Sequence, residues 1–168
     1  MNEPDQPSQR EQWSRELAAR SRRVVTDVVD GGDPDAMREL VADGVVVHGF
    51  GDATTRGIDA FADALAAWHE AVPDGEDAVD DVVVQDDTVV LFCTRRGTLE
   101  ADRPDIPADA GDSFEVDVVH RLRFSDWQVA EWWWMADALG AARQLDALPE
   151  AADDAARLAV GARDRPSN

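Results

Sequence analysis

From Ser113 to Phe124 the chain alternates between two kinds of residue. Phe114, Val116, Val118, His120, Leu122 and Phe124 fall on one parity. Glu115, Asp117, Arg121 and Arg123 fall on the other, with Val119 the exception. A period of two with one apolar side describes a strand buried on one face, and it places His120 among the buried residues. The rest of the chain must therefore supply a sheet around this strand and something to cover its greasy side.

The cover comes first in the sequence. From Glu11, Trp13, Leu17, Val24, Val25, Val28 and Val29 recur at helical spacing, predicting a first helix of about 18 residues that Gly31-Gly32 stops. Asp33-Pro34 reads as an N-cap followed by proline at the first helical position. The short helix behind it runs through Met37, Leu40 and Val41 and ends at Gly44, and V-V-V-H-G-F forms a brief strand ending at His48. A third helix starts at Gly57. Its stripe of Ile58, Phe61, Leu65, Trp68 and Val72 is wide enough to lie on a sheet. Strands follow at Val79–Val84 and Thr88–Thr98, turning at Asp86-Asp87. Pro104, Pro107 and Gly111 mark a loop over 100–112.

After Ser125-Asp126 comes V-A-E-W-W-W-M-A-D-A-L-G-A-A-R-Q-L-D-A-L-P. It opens as an aromatic strand and becomes helical at Asp137. On an unbulged strand Glu131, Trp133 and Asp137 would share a face. Helices first and mostly antiparallel strands after give an α+β fold with the helices on one side of the sheet. We expect one domain over 12–149, a loose tail over 1–11 and an acidic, alanine-rich tail over 150–168. No internal repeat is visible.

Charge limits the partners. The formal net charge is −20, and all 16 basic residues are arginine. Nucleic acid and anionic membrane surfaces are not expected as partners, because both need a basic face. Such an acidic coat repels itself unless salt screens it, which predicts a halophilic host with a salt-rich cytoplasm. No stretch is apolar enough to span a membrane, and the N-terminal residues lack a signal core, so a cytoplasmic protein is expected. Cys93, the single cysteine, lies in the run V-V-L-F-C-T and reads as a small buried hydrophobe. Three histidines without ligand spacing do not suggest zinc, and no cofactor motif is present.

Several pieces taken in order resemble the SnoaL-like polyketide cyclases, which have the nuclear-transport-factor-2-like cone fold. They are G-G-D-P-D-A-M-R-E-L-V-A-D-G-V-V-V-H; G-I-D-A-F ending in V-P-D; D-D-T-V-V with R-R-G-T; D-I-P-A-D-A-G; and V-A-E-W-W-W-M-A-D with Q-L-D-A-L-P. The resemblance covers about residues 20–149. It implies a cone: three N-terminal helices packed on a strongly curved mixed, mostly antiparallel sheet that encloses a pocket. It also implies a cofactor-free intramolecular aldol or related cyclisation, with Asp137 at the place of the catalytic aspartate. Two positions depart from the family pattern. Leu99 stands where a histidine is usual, and Asp126-Trp127-Gln128 replaces an Asp-Gly-Lys turn.

These residues give a candidate site. Asp137 is the general acid/base, or else the N-cap of the helix that begins at Ala138. His120 and His48 are the candidate donors to a developing enolate. There is no tyrosine, so the remaining donors are a Trp133 indole N–H, an arginine or the backbone. Trp133, Phe114, Val118, Phe92 and Trp68 are the expected pocket lining, and His69 falls on the polar side of its helix. Glu131 is expected to pair with Arg121 or Arg123 across strands. A pocket-facing Arg95 or Arg96 bridged to Asp137 would instead suggest an epoxide hydrolase. The ligand is expected to be a small apolar molecule, and the tryptophans suggest core or a homodimer interface. A non-catalytic binding or association domain of the same fold is the alternative to an enzyme.

Overall fold

A computed structural model describes residues 8–49, 54–100 and 109–147. Helix α1 spans Gln9–Arg23. It starts two residues earlier than the apolar spacing alone indicates, because Ser8 and Glu11 form a capping box: each side chain bonds the other's backbone N–H. The helix continues as a π-helical stretch, Val24–Asp30. Val24, Val25, Val28 and Val29 are all buried there. Their i, i+1, i+4, i+5 spacing puts all four on one face, toward the core. Helix α2, Pro34–Leu40, is capped by the Asp33 side chain, which accepts from the N–H groups of Asp35 and Ala36.

Strand β1 (Val41–His48) begins directly after α2. The expected helix end at Gly44 is therefore corrected. The β-branched Val41 is already extended and pairs with Val129, and Gly44 falls in the irregular part of the β1 register. Strand β2 is the two residues Thr55–Arg56. Helix α3, Ile58–Ala71, follows the expected stripe, with Phe61 and Leu65 buried. Strands β3 (Glu76–Gln85), β4 (Thr88–Thr98), β5 (Ser113–Ser125) and β6 (Gln128–Ala136) form successive antiparallel hairpins. Helix α4, Ala138–Gln144, closes the described chain.

The six strands make one sheet in the order β2-β1-β6-β5-β4-β3, and β1 runs parallel to β6. The sheet is mixed, curved and covered by helices on one side, as the sequence indicates. The core lies between the layers. Leu17, the four valines, Met37, Leu40, Phe61 and Leu65 meet Val45, Val47, Val89, Leu91, Val118, Leu122, Phe124, Val129 and Trp132. Cys93 is buried, and burial together with the nearby Asp77 and Asp80 carboxylates pushes its thiol up to about 12. No helix among the described residues is long and apolar enough to cross a membrane. The expected tails lie largely outside the described residues, as does most of the loop over 100–112.

Candidate functional site

The parity of β4 sets up the site. Val89, Leu91, Cys93, Arg95, Gly97 and Leu99 are all buried, so a guanidinium is carried inward on an otherwise apolar row. Burying such a charge requires a partner. Register supplies one, because Arg95 lies directly opposite Asp77 on β3. Arg95 Nε and Nη2 both donate to the Asp77 carboxylate, the latter at 2.7 Å. This is a two-pronged, charge-assisted pair.

The pair continues into a buried chain. His120 Nε2 donates to Asp77 Oδ2 at 2.8 Å, and His120 Nδ1 accepts from Trp132 Nε1 at 3.1 Å. Burial holds the His120 ring below the ordinary histidine range, against the opposing pull of Asp77. The ring is thus neutral and satisfied at both nitrogens. Burial alone would raise the Asp77 carboxyl. The hydrogen bonds from His120 and Arg95, with the Arg95 charge, outweigh that and hold it below the usual carboxylate range. Asp30, at the end of the π-helical stretch, accepts from the Asp77 backbone N–H at 3.1 Å. Burial, then the Asp77 charge, pushes its carboxyl up to about 7.

Beside Arg95 is a cavity of about 400 Å³. Its wall includes Trp68, Leu99, Phe114, Val116, Trp134 and the alanines and Leu145 of the α4 region. Trp68 and Trp134 flank the guanidinium, their ring centroids 4.9 and 4.8 Å from Arg95 Cζ. Such contacts stabilise a desolvated cation. Arg95 Nη1 is buried and has no hydrogen-bond partner among the described residues. Asp137 also belongs to the cavity wall, but at its rim. The residue is exposed, and its Oδ1 accepts from the Gly140 N–H at 2.8 Å as the cap of α4.

The structure divides the expected site residues. Asp137, Phe114 and Trp68 meet at the cavity. His120 is in the core behind it, bound to Asp77 and Trp132 and not part of the wall. His48 lies elsewhere: its Nε2 is 3.1 Å from Glu131 Oε1, and its ring stacks on Trp133 at 4.8 Å. Trp133 is corrected as a lining residue; it faces away, stacked on His48 and beneath Arg121. Trp134, on the other parity, takes the cavity position instead. Phe92 is 45% exposed on the uncovered sheet face, and Val118 is packed into the core. Neither lines the cavity.

Glu131 pairs with Arg123 at 3.1 Å, one of the two expected partners. His69 is half-buried rather than exposed, because its Nε2 reaches the Val29 carbonyl at 2.7 Å. Asp77 and Trp134 were not among the sequence candidates. The available signal was parity: Arg95 shares the buried side of β4 with Leu91 and Cys93, so it needed a carboxylate on an adjoining strand.

A curved α+β sheet with helices on one side and a cavity holding one buried arginine defines a small cone-type α+β domain. The chain belongs to the SnoaL-like polyketide cyclase family, whose model matches residues 19–145. Among solved structures it is similar to IdmH of Streptomyces antibioticus, a candidate polyketide cyclase. The two share 25% identity and a TM-score of 0.68, over 77% of this chain and 98% of IdmH. A candidate SnoaL-like polyketide cyclase from a Jannaschia species gives 22% identity and a TM-score of 0.73, over 87% and 100% of the two chains. AclR of Streptomyces galilaeus, a candidate hydroxylase, gives 20% and 0.67, over 81% and 99%. No curated protein matches the chain.

Proposed function

We propose that the protein is a small cofactor-independent enzyme of the cyclase or isomerase type, acting on an apolar carbonyl compound with Asp137 as general acid/base. One observation carries the reading: a carboxylate stands on the wall of a cavity that, apart from it and the Arg95 guanidinium, is apolar and is large enough for a small ligand. The Asp137 carboxylate takes a proton from the carbon next to the carbonyl. The C–H electron pair becomes the enolate double bond, and the carbonyl π pair moves to oxygen. In an isomerisation the proton returns at another carbon. In a cyclisation the enolate carbon attacks a second carbonyl of the same molecule, and the new alkoxide takes the proton back. A ligand filling the cavity shields the carboxylate from water.

The exposure of Asp137 and its capping of α4 favour a second reading, a binding domain without chemistry. The epoxide hydrolase alternative needs Asp137 bridged to Arg95 or Arg96. Those arginines are engaged with Asp77 and Glu115 instead. The test is α-proton exchange in heavy water, followed by NMR over a panel of β-keto esters and cyclic ketones. Asp137→Asn should lower the catalysed rate about a hundredfold or more. Equal rates in wild type and variant would end the acid/base assignment and leave the binding reading.

A further inference from the structure

The expected histidine donors do not reach the cavity, so the developing enolate oxygen needs another partner. We propose that Arg95 Nη1 is that partner and that it selects a neutral, planar ketone over an organic acid. The proposal rests on the reading of the cavity as a carbonyl site. Three observations support it.

First, Arg95 belongs to the cavity wall, is 2% exposed, and has two of its three nitrogens bound to Asp77. The third, Nη1, is a buried donor with no partner among the described residues. Leaving such a donor unmade is costly, and a ligand oxygen removes the cost. Second, the guanidinium carbon lies over the rings of both Trp68 and Trp134. An acceptor reaching Nη1 from the cavity therefore lies beside two indoles, and a flat ring system packs well against such surfaces. Third, the charge on Arg95 is already balanced by Asp77, and Asp30 lies behind Asp77. A carboxylate entering here would add a further negative charge in an apolar setting, whereas a ketone oxygen would not. Negative charge that develops on that oxygen during enolisation meets a donor fixed in advance by Asp77, which is the arrangement that stabilises oxyanions.

The test compares three ligands of one shape: α-tetralone, tetralin, which lacks the carbonyl, and the tetralin carboxylate. Binding is read by quenching of tryptophan fluorescence, independently of turnover. Wild type should bind the ketone about tenfold to a hundredfold more tightly than tetralin, the range for a hydrogen bond to a charged donor. It should bind the carboxylate more weakly than the ketone. Arg95→Met combined with Asp77→Asn removes both charges together, which avoids stranding either one. In that variant ketone and tetralin affinities should converge. Equal affinities in wild type, a preference for the carboxylate, or no binding of the ketone would each overturn the proposal. If the double variant fails to fold, the wild-type comparison decides alone. Asp137→Asn should keep the ketone preference while losing proton exchange, so failure of the Asp137 reading and failure of this one give different results.

Discussion

Asp137 combines two duties that a choice of substitution can separate. Serine caps a helix about as well as aspartate but has no carboxylate. Asp137→Ser should keep stability within a few tenths of a kcal/mol, while Asp137→Ala should cost about 1 kcal/mol. Both should abolish the proposed proton exchange; denaturant melts and exchange rates on the same samples check this. Asp30 makes a prediction with a definite sign. Its carboxyl is raised to about 7 in the fold and returns to about 4 when unfolded. Between those values the folded state holds a proton that the unfolded state has lost, so this group's contribution to stability falls as pH rises from about 4 to about 7. Asp30→Asn retains the acceptor for the Asp77 N–H. It should stabilise the protein at pH 8 by on the order of 1 kcal/mol, allowing for solvent screening, and by little at pH 4. His120 has the opposite dependence. Its ring stays neutral when buried, so stability is lost as pH drops below about 6.5, where the unfolded ring takes up a proton. Side-chain nitrogen NMR at pH 6 should find the Nε2–H neutral form.

The elements show what the sequence could and could not disclose. Period-two alternation gave the span of β5 almost to the residue, and the i, i+3, i+4 stripe gave α3, because each has one buried face. The π-helical stretch was not legible. Its valines have ordinary helical spacing, so nothing in their pattern announces the wider turn. Which of three consecutive tryptophans faces inward was not legible either. A shift of the β5–β6 register near Arg123 and Phe124 precedes the tryptophans, and the strand stops at Ala136, so Asp137 does not share a sheet face with Trp133. Gly49 is a further case that only the fold explains. It has a φ of +84°, and a Cβ there would run into the Trp134 carbonyl oxygen. Gly49→Ala should cost about 2 kcal/mol or more in a denaturant melt, and it should also disturb the cavity beside it.

At the scale of the whole molecule, the uncovered sheet face and the acidic coat matter most. Phe92, Val119 and Met135 line up across β4, β5 and β6, and Phe92 and Met135 are 45% and 57% exposed. Arg121 and the Arg96–Glu115 and Arg123–Glu131 pairs surround them. On a chain of net charge −20 we propose this mixed-charge apolar face as the contact between two copies. Light scattering in molar potassium chloride should give twice the chain mass, and Phe92→Asp should halve it. The melting temperature should rise from dilute buffer to molar salt as the carboxylates are screened.

The parallel seam between β1 and β6 also constrains how the chain folds. Apart from the two residues of β2, β1 has no neighbour in the sheet until the last strand arrives. The three hairpins from β3 to β6 can form from nearby segments, but this seam must bring together distant ones, and closing so long a loop is slow. The wall that carries Trp134 and Asp137 is therefore completed late. A chain released before Gln128 would lack β6 and α4 and leave β1 nothing but the two residues of β2 to zip onto.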